Sequence, residues 1–205
     1  MRYLDLTHTF VHGMPVYPGD PAPTLTPTAA LHRDGYVDHQ LTTGMHAGTH
    51  IDAPLHLLAG GKYLSEISIE QFIGRGHLVD ARGNAAIDAE LLASKSIQRG
   101  DIVLIMTGWY KKFGQPEYYE KFPAVSEPFA RQLVARGVKV VGLDTPSPDR
   151  PPFAIHKLLL RNGILIIENL TNLEGLLGHS GFQIFALPAK LHTDAAPVRV
   201  VAGIT

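Results

Sequence analysis

Between residues 46 and 56 the chain reads His46-Ala-Gly-Thr-His50-Ile-Asp52-Ala-Pro54-Leu-His56, although only 11 histidines occur in all 205 residues. His46, His50, Asp52 and His56 all hold even positions. Side chains alternate along an extended backbone, so this parity turns the four polar groups to one side and Ala47, Thr49, Ile51 and Leu55 to the other. Fully extended, the stretch would span roughly 33 Å, too far for its ends to meet at one centre. It must therefore fold back, and Gly48 and Pro54 stand where bends are needed. His50 and Asp52 can then face one ion directly, and a turn at Gly48 brings His46 to it. Imidazole nitrogen and carboxylate oxygen suit zinc, manganese or ferrous iron, and three protein ligands leave a coordination position open for catalysis.

The composition describes the body that carries this cluster. With 45% hydrophobic and 18% charged residues, residues 1–205 are expected to form one soluble domain with a substantial core. A net charge of −1 gives no electrostatic footprint for nucleic acid or an anionic membrane. The absence of cysteine excludes disulfides, thiolate metal sites and a cysteine nucleophile. The opening Met1–His8 has no apolar core of a signal peptide, and no stretch approaches the ~20 apolar residues of a membrane span. A cytoplasmic protein with a small-molecule ligand is the expectation.

Tyr3–Phe10 alternates like a strand, and 11–23 reads as a Pro/Gly-rich loop in which Tyr17 either packs or meets a ligand. Strands are expected at 25–31, on an edge because of Pro27, and at 36–43. Short helices are expected at 68–73 and 88–93, with Ser68 and Asp88 as caps, and one or two helical turns at 173–177. The apolar runs 101–107, 138–144 and 164–168 have the length and continuity of strands buried on both faces. Between them lie an irregular aromatic and charged segment at 109–122, a helix at 126–136 and a second helix at 153–161. Strands at 76–81, 182–187 and 198–203 complete the reading. Strand–helix–strand alternation over 101–168 argues for a parallel, helix-covered sheet, and the strand-rich N-terminal third for an antiparallel layer.

Glu168 is the best candidate to add to the cluster. It ends an apolar run, where a buried carboxylate needs a cation or hydrogen bonds, and strand carboxyl ends are where α/β active sites collect. A salt bridge or a cap at the strand end is the alternative. His156 lies in an apolar helix, where residue type alone favours a packing role. Asp144 either orients a ligand histidine or caps the turn at Pro146.

The cluster resembles the H-x-G-T-H-x-D-x-P-x-H signature of the metal-dependent cyclase family, which includes bacterial kynurenine formamidases and isatin-hydrolysing enzymes. The resemblance extends to Met14-Pro-Val-Tyr-Pro-Gly-Asp20, Gly142-Leu-Asp-Thr-Pro-Ser147 and Ile166-Ile-Glu-Asn-Leu170. It implies an α/β fold of the three-layer β/β/α swivelling type, with a central mostly parallel sheet and a second antiparallel one, assembled as a homodimer or larger. It also implies hydrolysis of an amide, lactam or arylformamide by two divalent metals, zinc foremost and manganese as the alternative. Under that resemblance Asp52 and Glu168 bridge, His46 and His50 complete one ion, and His156 helps to hold the other. His56 then carries the proton from water to the leaving nitrogen. Where the formamidases have a tryptophan stacked on the substrate, this chain has Tyr17, which leaves a different cyclic or acylated amide open. Two rival readings are a mononuclear Fe(II) oxygenase built on His50-Ile-Asp52 with His192 and Arg199, and a non-catalytic metal-binding protein of the same fold. The oxygenase requires a jelly roll, which the α/β pattern of 101–168 opposes.

Overall fold

In the computed structural model, which describes residues 2–179 and 181–204, the N-terminal third contains β1 (Arg2–Asp5), β2 (Thr24–Ala29), α1 (Leu31–Asp34), β3 (Asp38–Thr42) and β4 (His50–Asp52). The middle holds β5 (Ile73–Asp80), β6 (Ala86–Ile87), β7 (Ile102–Met106), β8 (Ala124–Val125) and α2 (Glu127–Ala135). The chain continues through β9 (Val140–Leu143), α3 (Ala154–Arg161), β10 (Leu165–Glu168), β11 (Phe182–Pro188) and β12 (Ala195–Ile204). No described helix is long and apolar enough to cross a membrane.

Eight strands form one mixed sheet in the order β1-β12-β11-β5-β7-β9-β10-β4. The expected parallel segment is present, since β5, β7, β9 and β10 pair in parallel. The antiparallel strands extend this same sheet instead of stacking on it as a second layer. The reason is the length of β12, which pairs with β1 over its C-terminal half and with β4 at its N-terminal end. Because β4 also pairs with β10, the two edges meet and the sheet closes. Apart from it stands a small antiparallel sheet of β2 and β3, and Pro27 lies in a strand with a single partner, as an edge position requires.

Alternation divides the buried residues into two cores. Ile102, Leu104 and Met106 point into the closed sheet with Ile51, Leu165 and Ile167, whereas Val103 and Ile105 point outward with Val141, Leu143 and Ile166. The outer group is covered by α2 and α3. In α2, Ser126 Oγ accepts from the Phe129 amide at 3.3 Å, Phe129 and Leu133 are buried, and Arg131 pairs with Glu127 on the exposed face. Gly137, at φ +68, ends the helix in the left-handed conformation that glycine adopts without strain.

The expected helices at 68–73, 88–93 and 173–177 are short 3₁₀ turns, Ile69–Phe72, Ala89–Leu92 and Leu173–Leu176. Neither Ser68 nor Asp88 caps its turn through its side chain, and the Ser68 hydroxyl bonds to Glu70 instead. The segment 109–122 packs as two 3₁₀ turns that bury Tyr118 and Phe122, with Trp109 Nε1 donating to the Tyr118 carbonyl at 2.9 Å.

Leu104 is fully buried inside the closed sheet, whereas Leu41 on β3 is 49% exposed. Leu104→Ala is expected to lower unfolding free energy by about 2–5 kcal/mol, and Leu41→Ala by no more than about 0.5 kcal/mol. Denaturant melts of the two variants measure both, and equal losses would contradict this placement of the core.

Candidate metal centre and active-site cavity

Parity places the cluster on the outer, helix-covered side of the sheet. Ile51 points into the closed sheet, so its neighbours His50 and Asp52 point out beside α3. In the antiparallel pairing of β4 with β10, His50 lies opposite Glu168 and Asp52 opposite Ile166, which puts Glu168 on the same face. His156 reaches this face from the buried side of α3. The turn that returns His46 is made at Gly48, whose φ is +63 and where a Cβ would lie 2.7 Å from Met14 Cε. Past β4, Pro54–His56 forms a 3₁₀ turn that swings His56 back over the strand.

His46, His50, Asp52, His56, His156 and Glu168 therefore meet, although 112 positions separate His56 from Glu168 in sequence. His46 Nδ1 is 3.0 Å from Asp52 Oδ1, His50 Nε2 is 3.2 Å from Glu168 Oε2, and His156 Nε2 is 3.1 Å from Glu168 Oε1. His156 Nε2 also lies 3.9 Å from Asp52 Oδ2. The donor atoms of His46, Asp52 and His56 all fall within 4.8 Å of one another, and so do those of His50, Asp52 and Glu168. Asp52 belongs to both groups, and the sixth residue, His156, borders the second. His56 thus lies closer to the His46–Asp52 pair than its position past Pro54 suggests, with its ring 4.1 Å from that of His46.

Two acids that sequence reasoning missed hold the imidazoles. Asp149 Oδ1 bonds His156 Nδ1 at 2.6 Å, and its Oδ2 accepts from the Ile155 amide at 2.6 Å, so one carboxylate caps α3 and orients the histidine on it. A carboxylate just upstream of that helix was the only available signal. Asp194 Oδ2 is 2.9 Å from His46 Nε2 and 3.3 Å from His56 Nδ1. It reaches them because β12 pairs with β4, and nothing local in Thr193-Asp194-Ala195 announces this. Asp144 does neither thing expected of it. It accepts from the Thr107 and Gly108 amides at 2.9 and 2.7 Å and from Thr107 Oγ1 at 2.6 Å, tying β9 to the end of β7, and burial pushes its carboxyl up to about 6 against those bonds. His192 and Arg199 lie apart from the cluster, His192 bonded to Ser65 and Arg199 to Asp5, so no His-x-Asp…His triad forms with them.

The electrostatics favour cations. Burial works against charge on His46, but Asp52, then Asp194 and Glu168, push its imidazole up to about 10. His156 also rises to about 10, burial again opposing and Asp149, Glu168 and Asp52 prevailing. Asp52 is itself held below the usual carboxylate range by His46 and His50, despite burial. Even so, His50 Nε2 and both Asp52 oxygens are buried without a hydrogen-bond partner. Such atoms are costly unless an ion engages them, and nitrogen with carboxylate oxygen is a donor set that divalent zinc or manganese accepts. These residues fit a divalent metal.

Above the cluster opens a cavity of about 230 Å³. One wall is His46, His50, His56, His156 and Glu168, and the other is apolar and aromatic, with Tyr17, Leu57, Tyr119 and Phe153. Tyr17 meets Tyr119 edge to face at 5.9 Å. The loop residue singled out in the sequence lies in this wall beside two aromatic residues that no motif marked.

The family model described as "Putative cyclase" matches residues 4–150. The chain is similar to kynurenine formamidase of Bacillus cereus, 28% identical over 208 residues, with 98% of this chain and 96% of that protein covered. A solved structure of a potential metal-dependent hydrolase with cyclase activity matches at 31% identity and a TM-score of 0.84, covering 100% of this chain and 98% of that one. Isatin hydrolase A from Labrenzia aggregata, bound to benzyl benzoate, matches at 26% identity and a TM-score of 0.88, covering 100% and 94%.

The raised imidazoles have a measurable consequence. Free histidine titrates near 6.5, so with both folded values near 10 the stabilisation these pairs give the metal-free protein is fully present below pH about 6.5 and is lost as pH rises through about 10. A divalent ion that takes those nitrogens must displace their protons. Adding zinc to metal-free protein at pH 7.5 in weak buffer should release about two protons per chain, and apparent affinity should fall as pH is lowered. Zinc uptake without proton release would show that these nitrogens are not engaged.

Proposed function

Because the chain belongs to the cyclase family, we propose that it is a metal-dependent hydrolase cleaving an amide, lactam or arylformamide bond in a small-molecule substrate. The observation that carries this reading is the pair of overlapping donor groups sharing Asp52, whose oxygens lack a well-aligned hydrogen bond, at the base of the cavity. His46 and His50 on one side and His156 on the other, with Asp52 and Glu168 between them, would hold two zinc ions; manganese suits the same donors. When bound, the metals supply a pull on the carbonyl oxygen and a more acidic water.

The protein's own groups supply the rest. His56 flanks the cavity with Nδ1 held towards Asp194, which leaves Nε2 to take a proton from the attacking water and return it to the leaving nitrogen. Asp149 keeps the His156 ring from rotating. Tyr17, Tyr119 and Phe153 form a wall for the flat apolar part of a substrate, so kynurenine formamides, isatin and cyclic imides are the compounds to assay. The closeness of His56 to His46 and Asp52 supports a second reading, in which His56 is a metal ligand and not the proton carrier.

Two experiments test these assignments. Chelation should abolish hydrolysis of whichever of these compounds is turned over, with zinc or manganese restoring it; activity surviving full metal removal rejects the mechanism. His46→Ala should lose both metal and activity, while His56→Ala should keep its metal and slow turnover by about 10²–10⁴-fold. Equal metal loss in both variants would make His56 a ligand.

Stoichiometry tests the long-range half. The protein should bind two zinc ions per chain, His156→Ala should bind one, and Glu168→Ala should do greater damage because its carboxylate faces both His50 and His156. A wild-type stoichiometry of one, unchanged in His156→Ala, would leave His156 as a packing residue.

A further inference from the structure

We propose that Asn169 and Tyr118 are positioning residues that fix the loop carrying His46 and His50, and through it the direction of the His50 ring. The inference rests on the reading of His50 as a metal ligand. His50 Nδ1 lies 2.8 Å from the Gly48 carbonyl oxygen, which can only accept. Nδ1 therefore carries a proton and donates to that carbonyl, which leaves Nε2, the buried atom without a partner that faces Asp52 and Glu168, as the nitrogen that can meet an ion. Where that nitrogen points depends on where the Gly48 carbonyl sits.

No strand ladder holds Gly48, which lies between β3 and β4 in a left-handed conformation. At Thr49 the loop is tied by the Val198 amide to the Thr49 carbonyl and by the His8 amide to Thr49 Oγ1, both at 3.0 Å, and two further bonds tie it to Asn169. Asn169 Nδ2 donates to the Gly48 carbonyl at 2.9 Å, and Thr49 Oγ1 donates to the Asn169 carbonyl at 2.6 Å. Asn169 follows Glu168 directly and has φ +57, a conformation asparagine tolerates better than most residues. Its amide is in turn oriented by Tyr118, whose hydroxyl donates to Asn169 Oδ1 at 2.8 Å and so leaves Nδ2 facing Gly48. Tyr118 is fully buried, so water offers its hydroxyl no ready substitute partner, and Asn169, 6% exposed, borders the cavity. The chain of contacts runs from the segment 109–122 through the end of β10 to the metal-facing histidine. It gives a role to the asparagine of Ile-Ile-Glu-Asn-Leu and to Tyr118, neither of which the mechanism above uses.

Cobalt titration of metal-free protein, followed by visible absorption, tests this without recourse to activity. Asn169→Gly keeps the left-handed backbone accessible while removing the amide, and Tyr118→Phe removes one hydroxyl. Asn169→Gly should bind cobalt about 10–100-fold more weakly with a changed ligand-field spectrum, and Tyr118→Phe should shift in the same direction by about 3–10-fold. Affinities within twofold of wild type and unchanged spectra, in folded variants, overturn the proposal. If Asn169→Gly does not fold, Tyr118→Phe decides by the same criteria. Wild-type protein that binds no cobalt would instead reject the metal reading above. The positioning claim is then decided in metal-free protein by the His50 Nδ1 proton resonance, which should be protected from exchange in wild type and lose that protection in Tyr118→Phe. Equal protection in both overturns it.

Discussion

A carboxylate with no exposed surface and no well-aligned hydrogen bond on either oxygen is an unstable thing to bury, and Asp52, with only the His46 imidazole 3.0 Å from its Oδ1, is such a group. Its charge is met by imidazoles: His46 and His50 hold its carboxyl below the ordinary range, while Asp52 and its neighbours hold His46 and His156 protonated in return. That mutual dependence makes the site a place for cations. Protons satisfy it poorly, because two unpaired oxygens and an unpaired ring nitrogen are left over. Nitrogen and carboxylate oxygen are donors that a divalent ion would accept.

The fold serves this one requirement from several directions. Strand β4 is only three residues long, yet it closes the sheet by pairing with both β10 and β12. The first pairing sets Glu168 opposite His50, and the second delivers Asp194 to His46 and His56. Helix α3 contributes His156, and Asp149, which caps that helix, also orients the histidine. Because the same hydrogen bonds that end elements also aim ligands, loss of local structure and loss of metal affinity should be hard to separate at Asp149 and easier at Tyr118, which is farther from the charges.

Much of this was legible in the residues. Even spacing from 46 to 56, with Gly48 and Pro54 as bends, foretold that His50 and Asp52 share a face opposite Ile51, because side-chain alternation in a strand is a local property. Continuous apolar runs marked β7, β9 and β10, since a strand buried on both faces has no polar side to show. Short amphipathic stretches misled at 68–73 and 88–93, where a single turn satisfies a helix and a 3₁₀ turn equally well.

The sequence by itself determined which donor residues cluster, the shared face of His50 and Asp52, the α/β character of the middle of the chain and the resemblance to a family. Those follow from residue chemistry and short-range periodicity, which are written along the chain. Only the tertiary structure decided that the antiparallel strands close the same sheet, that Asp149 and Asp194 are the acids behind the histidines, and that Asp144 serves β7 instead. These depend on which strand lies beside which and in what register, and two segments more than a hundred residues apart carry no local mark that they will meet.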